Sequence, residues 1–373
     1  MQNKEISEAL AALNGGKTDL GFEEENIWYS RKPEWVPFVK ELKTAVLNEE
    51  IRGSILVATD SDVIFASGSR SREVDGGTVS PATTYEIGSI TKMHTAVCAF
   101  RLIDEGRLRL EDKVTQYFPE YVKAGDMTVF DLLHMRSGIV DFANDPETFF
   151  GSEELAEALD EGRITDRILL EHLYQLDLAF TPGSKMEYSN TNYVLLAMIL
   201  EKITGKAYQE VVSEMVFGPA DMTASSATTF GDVTSVPENE AGYMKELAVA
   251  RGAGDIHSNA LDLLKFDRAF FNGECLVSAA ARAGILNFVD NYGCGWERSA
   301  RYDDLVLHDG DTNSYSGLNA VFHVSADRKY FIMLSCCNED DDEDDDGETE
   351  GTDNEEEFNQ YQAVFDICKK YLQ

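Results

Sequence analysis

The stretch EIGSITKMHTAVCAF, Glu86 to Phe100, places a serine and a lysine three residues apart at the head of an almost unbroken apolar run. On a helix, residues i and i+3 share one face a turn apart, so the Lys92 amine reaches the Ser89 hydroxyl. That spacing suits a nucleophile and its base. Backbone N–H groups in the first turn of a helix lack intrahelical partners and can stabilise an oxyanion forming beside such a serine. Met93 to Ile103 is apolar nearly all round, which predicts a buried helix that holds Ser89 rigidly, and Gly106 is placed to stop it. By itself the pair also fits an ordinary buried helix with a serine near its start and a lysine whose stem snorkels outward.

Upstream of this stretch, Val36, Phe38, Val39, Leu42, Val46 and Leu47 recur at helical spacing. Ser54 to Thr59 and Val63 to Ser67 flank Asp60-Ser61-Asp62 and read as a β-hairpin. Downstream the pattern turns helical. Met127 to Met135 is capped by Thr128 and followed by the turn Arg136-Ser137-Gly138; Glu153 to Gly162 and Ile164 to Leu176 follow. Tyr193 to Ile203 is nearly all apolar and ends at Gly205, and Ala260 to Phe271 is capped by Ser258 or Asn259. Strand signals return at Asn291 to Trp296, Leu305 to His308, Leu318 to Val324 and Lys329 to Ser335, with a tight turn at Ala326-Asp327. Phe358, Tyr361, Phe365, Cys368 and Leu372 then share one face of a terminal helix.

Strands at both ends of a helical middle predict an α+β fold, an α/β sandwich. One antiparallel β-sheet is built from the N- and C-terminal parts and flanked by helices, with an inserted, mainly α-helical domain. The expected sheet domain is 36–107 with 251–373, and the helical domain is 108–250. Residues 1–35, with breakers at Gly15-Gly16 and Lys32-Pro33, read as a polar N-terminal extension.

A chain of 373 residues with 43% hydrophobic and 10% aromatic content buries a large core. Its 68 acidic and 32 basic residues give a net charge of −36. Fourteen of the acids lie between Glu339 and Glu357, and taking those 14 charges from −36 still leaves −22, a charge that disfavours nucleic acid and anionic membrane as partners. The loop 338–357 is too charged to pack and is expected to be solvated and mobile. It does not meet the D-x-D-x-D-G spacing of a calcium loop.

No stretch approaches the roughly 20 apolar residues that span a bilayer. MQNKEISEALAALNGGK lacks the basic start and apolar segment of a secretory signal, so a cytoplasmic location is expected. The six cysteines show no framework spacing and are expected to be reduced, buried thiols. His94, His134, His172, His257 and His323 have no metal-ligand spacing, so neither a metal nor another cofactor is expected.

Two further polar groups stand out. Tyr188-Ser189-Asn190 precedes the apolar helix at Tyr193. A tyrosine beside a lysine is favoured as phenolate, and an asparagine offers the donor and acceptor that a substrate amide needs. The same three residues also fit a loop that caps the next helix. His308-Asp309-Gly310 ends a short strand; Gly310 permits close approach, and His308 is able to donate to a carboxylate or protonate a leaving group. A histidine at a strand end also fits a structural role.

Taken in order, S-x-x-K at Ser89, Y-x-N at Tyr188 and H-x-G at His308 resemble the serine β-lactamase and penicillin-binding-protein superfamily. The likeness is to its class C branch, with the D-alanyl-D-alanine carboxypeptidases, D-aminopeptidases and related esterases. Further phrases of that pattern are Gly106 to Val114, Thr128 to Gly138, Pro182-Gly183 and Tyr292-Gly-Cys-Gly-Trp296. The resemblance covers residues 36 to 336 and the terminal helix.

The resemblance implies a serine hydrolase in which Ser89 attacks a carbonyl and Lys92 and Tyr188 share its proton. Asn190 holds the acyl-side amide, His308 lines the opposite wall, and the N–H groups of Ser89 and Asp311, after Gly310, form the oxyanion hole. The chain departs from the pattern at His308, where most β-lactamases have a lysine, and at Asp311, where a small or uncharged residue is usual. If 308–311 is a strand, Asp309 and Asp311 point opposite to His308. The lost cation favours a neutral or cationic small molecule or short peptide, an ester or an amide, over a β-lactam. The alternatives are a weak class C-type β-lactamase and a catalytically silent binding or scaffold member of the fold.

Overall fold

In the computed structural model of the protein, the structure describes residues 2–17, 19–23, 26–48, 53–68, 79–149, 155, 164–227, 249–300, 302, 304–311, 315–336 and 366–372. The loop 338–357 and nearly all of the expected helix at 153–162 lie outside them. The chain falls into two compact units, one comprising Met1–Ile87, Ser258–Arg268 and Ser299–Gln373, the other Gly88–His257 and Ala269–Arg298.

The first unit is the antiparallel sheet. Its strands are β1 (Gly21–Glu23), β2 (Ile27–Tyr29), β3 (Ser54–Thr59), β4 (Val63–Gly68), β9 (Leu305–Asp311), β10 (Tyr315–Phe322) and β11 (Lys329–Cys336), in the spatial order β1-β2-β4-β3-β11-β10-β9. The expected hairpin is β3–β4, whose register shifts between Val57 and Ala58. The N- and C-terminal parts of the chain meet at the centre of the sheet, where Ile55 of β3 pairs with Met333 of β11. Helix α2 (Val36–Leu47) buries Phe38, Val39, Leu42 and Val46. These pack in one cluster with Ile55, Val57, Phe65, Phe331 and Met333 of the sheet and with Ile367, Cys368 and Leu372 of the helix at 366–372. Each fully buried side chain of this kind contributes about 1.5–3 kcal/mol.

Residues 1–35 differ from the expected extension. Helix α1 (Gln2–Leu13), β1 and β2 belong to the sheet unit: β2 pairs with β4, Trp28 and Leu10 are buried, and the Trp28 indole N–H donates to Ser7 Oγ at 2.9 Å. Asn14 Oδ1 accepts from the Val63 N–H at 3.0 Å, fastening the end of α1 to β4. The stretch is polar because only short pieces of it face inward. Cysteine burial is also mixed, since Cys98, Cys294 and Cys368 are buried free thiols and Cys275 is exposed.

The second unit is mainly helical. Its central members are α3 (Thr91–Asp104), α4 (Val114–Tyr117), α5 (Val129–Leu133), α6 (Pro146–Phe149), α7 (Asp166–Leu173), α8 (Thr191–Thr204) and α9 (Tyr208–Val212). Helix α10 (Ala260–Asn272) runs from one unit into the other, and α11 (Ala279–Ile285) follows. Ser89 and α3 group here, not with the sheet as the expected boundary at 107 had them. A helix that is apolar nearly all round needs neighbours on several sides, and α3 packs against α8, α9 and α11. The expected strand at 291–296 is instead a turn, because Asp290, Asn291 and Gly295 take positive φ of 52°, 68° and 72°. The remaining short strands are β5 (Tyr85–Glu86), β6 (Ser226–Ala227), β7 (Ile256–Ser258) and β8 (Glu297–Arg298).

Asp267 on α10 is a fully buried acid in the sheet unit. Asn319 Nδ2 donates to its Oδ1 at 3.0 Å, and its second oxygen has no hydrogen-bond partner among the described residues. Burial pushes the carboxyl up to about 8, against the Asn319 hydrogen bond and the Arg268 charge. An unfolded aspartate ionises near pH 4, so between about pH 4 and 8 the unfolded chain binds fewer protons and stability falls as pH rises. Asp267→Asn keeps an acceptor for Asn319 and removes this loss. Thermal unfolding is expected to show the variant clearly more stable at pH 8 and close to wild type at pH 4; an equal gap at both would contradict the assignment.

Candidate active site

Ser89 sits in the single helical turn Gly88–Ile90 that leads into α3. Lys92, one turn on, is fully buried, so its amine exchanges water for protein acceptors. Its Nζ lies 2.7 Å from Ser89 Oγ, 2.6 Å from Asn190 Oδ1 and 2.8 Å from the Ala253 carbonyl oxygen. The amide and the carbonyl oxygens only accept. Two of the three N–H directions of Lys92 are therefore committed, and the third faces Ser89, where the proton can sit on either partner. Tyr188 OH donates to Ser89 Oγ at 2.9 Å, and its ring lies 5.0 Å from Lys92 Nζ.

Tyr188 is presented by a clamped loop. The N–H groups of Gly183 and Glu187 donate to the carbonyls of Arg136 and Met135, and that of Ala179 donates to the Gly138 carbonyl. Gly138 is required there: its φ is 77°, and a Cβ would lie 2.3 Å from the Phe180 carbonyl oxygen. Upstream of this turn, α5 starts with a capping box between Thr128 and Asp131, as its sequence pattern indicates. The Tyr188 ring meets buried Tyr292 edge-on at 6.0 Å. Burial raises the Tyr292 phenol well above its usual range.

Asn190 is the N-cap residue of α8 but makes no side-chain cap hydrogen bond, so the capping reading of Tyr188-Ser189-Asn190 does not hold for it. Its amide is used sideways, Oδ1 toward Lys92 and Nδ2 toward both carboxylate oxygens of Asp141 at 3.2 and 3.1 Å. On the other side of α3, the turn Arg251 to Asp255 is docked by Lys92 on Ala253 and by Thr95 Oγ1, which donates to the Gly252 carbonyl at 2.6 Å. Burial pushes the Asp255 carboxyl up to about 7; one oxygen accepts from the Gly252 N–H at 2.8 Å. Gly295 packs on the α3 backbone so closely that a Cβ would sit 2.6 Å from the Lys92 carbonyl carbon. Burial shifts two neighbouring groups on α3, His94 down to about 4 and Cys98 up to about 12.

Tyr188, Ser89, Lys92 and Asn190 are thus joined, in that order, in one chain of hydrogen bonds. His308, Gly310 and Asp311 lie on β9, in the sheet unit. Along β9, His308 and Gly310 are buried while Asp309 and Asp311 are exposed, the alternation expected of a strand. The His308 ring Nδ1 lies 2.6 Å from the Asp309 carbonyl oxygen, and His308 pairs across the sheet with Asn319.

Asp141 and Ala253 were not visible in the sequence. Ala253 acts through its backbone oxygen and carries no side-chain signal, while Asp141 finds its partner 49 residues away. Among the described residues no three His, Cys, Asp or Glu side chains are placed to hold a metal, and no helix is long and apolar enough to cross a membrane.

The chain is 27% identical over 316 residues to penicillin-binding protein 4* of Bacillus subtilis, covering 77% of this chain and 68% of that protein. It is 30% identical to protein flp of Staphylococcus aureus over 180 residues, 46% of this chain and only 34% of that protein. A D-stereospecific amidohydrolase from Streptomyces sp. superposes with a TM-score of 0.60 at 25% identity, covering 78% of this chain and 91% of that one. The D-amino acid amidase of Ochrobactrum anthropi SV3 shares the fold, with a TM-score of 0.68 at 20% identity over 90% of this chain and 100% of that one. The family model described as Beta-lactamase matches residues 47–350, and with most of its length matched the chain belongs to the Beta-lactamase family.

Proposed function

We propose that the protein is a serine hydrolase that cleaves an ester or amide through an acyl-enzyme on Ser89, of esterase or D-amino-acid peptidase type. The observation that carries this is the convergence of Lys92 Nζ and Tyr188 OH on Ser89 Oγ, at 2.7 and 2.9 Å. Ser89 Oγ bonds to the substrate carbonyl carbon while its proton passes to the neutral Lys92 amine, or to Tyr188 where the tyrosine enters the step as phenolate. The tetrahedral oxyanion collapses, the bond to the leaving alcohol or amine breaks, and that group takes the proton. Water then attacks the acyl carbon as the same base takes its proton, the bond from that carbon to Ser89 Oγ breaks to release the acid, and Ser89 Oγ takes the proton back.

The two Asp141 oxygens lie too close together to take both diverging N–H bonds of the Asn190 amide. They share one, and the other is assigned to the substrate's acyl side. The Ser89 N–H is assigned to the oxyanion. From the resemblance of H-x-G, the Asp311 N–H is assigned the same task and His308 the recognition of the leaving side. A histidine in place of a permanent cation, in a chain of net charge −36, favours neutral or cationic substrates over carboxylate-bearing drugs. The likeness to a D-stereospecific amidohydrolase supports the amide side of this reading.

The test is labelling by a fluorophosphonate at mildly alkaline pH, with a turnover panel of p-nitrophenyl esters, D-amino-acid amides and nitrocefin. Stoichiometric label on Ser89 and turnover of esters or D-amides well above nitrocefin is expected. Nitrocefin as the fastest substrate would replace the reading with a β-lactamase, and neither label nor turnover would leave a binding or scaffold protein.

A further inference from the structure

We propose that Asp141 is a positioning residue for the reaction at Ser89 and acts through Asn190; this rests on the hydrolase reading above. An asparagine side chain can be turned end for end with almost no change of shape, so its orientation must be set by its partners. Here one partner is the Asp141 carboxylate, which is 7% exposed and accepts from Asn190 Nδ2 with both oxygens. An ionised carboxylate only accepts, so it holds Nδ2 on its own side and turns Oδ1 toward Lys92. The reversed amide would set N–H groups against the Lys92 amine and oxygen against oxygen at Asp141.

The consequence reaches the nucleophile in one step. With Oδ1 fixed, Lys92 has two acceptor-only partners, Asn190 and Ala253, and its remaining direction is committed to Ser89. Asp141 is itself held by its chain neighbours. Thr191 Oγ1 donates to the Val140 carbonyl at 2.8 Å and accepts from the Phe142 N–H at 3.2 Å, so the residues on both sides of Asp141 are tied to the residue after Asn190. Asn144 Nδ2 and the Ala143 N–H, at 2.5 and 3.1 Å, supply further donors to the carboxylate. Those last two bonds alone would make Asp141 a loop-former, and the experiment must separate that role from positioning.

A double-mutant cycle with Asn190→Ala does so, read by the rate of fluorophosphonate acylation at Ser89 and by kcat and KM on the best panel substrate. Asp141→Ala is expected to lower acylation and kcat roughly 100-fold, the scale of a misplaced catalytic group, with KM changed much less. In the Asn190→Ala background the same change is expected to cost about threefold or less, because the residue it acts through is gone. Asp141→Asn keeps an oxygen for Asn190 and is expected to recover most of the rate. Should Asp141→Ala not fold, Asp141→Ser takes its place, since it still offers an acceptor to the Ala143 N–H but is too short to reach Asn190.

Equal losses in both backgrounds, or Asp141→Asn as slow as Asp141→Ala, would overturn positioning while leaving the hydrolase reading intact. Absence of label on the wild type would overturn both.

Discussion

Ser89→Ala is expected to lower ester or amide hydrolysis by about 10⁴-fold or more and to abolish fluorophosphonate labelling, with the melting temperature within a few degrees of wild type. The size follows from chemistry that no neighbour can take over. Lys92 and Tyr188 both point at Ser89 Oγ, so on the proposed mechanism the loss of that oxygen leaves both facing an empty position and no acyl-enzyme forms. Stability changes little because Ser89 is only partly buried, and water can accept the two hydrogen bonds in its place. Activity is measured with the substrate that turns over best in the panel, and labelling by intact mass. Hydrolysis within about tenfold of wild type would mean that another residue is the nucleophile.

The sequence made the local chemistry legible and the long-range chemistry illegible. Ser89 and Lys92 could be paired from spacing alone because one helical turn fixes their geometry. Tyr188 and Asn190 were visible as a motif, but the direction of the Asn190 amide was not. It depends on Asp141 and on the turn at Ala253, which reach the site from 49 and 161 residues away. Strands β3, β4, β10 and β11 were readable because long apolar runs bounded by turns have one cheap solution.

Strand β2 was not readable: Ile27-Trp-Tyr29 is three residues long, and only its pairing with β1 and β4 makes it a strand. The same holds for the grouping of α3. Its apolar surface announced burial, but whether sheet or helices would cover it was decided by α8, α9 and α11, far along the chain. At 291–296 the aromatic and small residues suggested a strand. The function of that segment is instead to bring Gly295 onto the Lys92 backbone, an approach that only glycine at φ 72° permits.

Lys92→Met is expected to be nearly as damaging to activity as loss of the serine, yet mild for the fold. Methionine has a similar unbranched shape, so the space under Ser89 stays filled. Two stability terms then oppose each other. Asn190 Oδ1 and the Ala253 carbonyl lose their donor, at about 1–3 kcal/mol for each acceptor left buried and unsatisfied. Against this, the wild type buries the Lys92 amine fully, and the cost of taking it out of water goes with it. Thermal unfolding should therefore shift by only a few degrees in either direction.

Activity has no such compensation. The proton on Ser89 loses its nearest acceptor, and the forming negative charge loses the one cation within 3 Å of the serine oxygen among the described residues, which together are worth roughly 10³-fold or more. Acylation and deacylation should both slow, because the same amine serves water in the second step. Tyr188→Phe measured beside it reads the division of labour. A loss as large as that of Lys92→Met would place the transferred proton on the tyrosine, and a loss of about tenfold would leave it with the lysine. Retention of more than about a tenth of wild-type turnover by Lys92→Met would remove Lys92 from the chemistry and return it to the role of a buried helix residue.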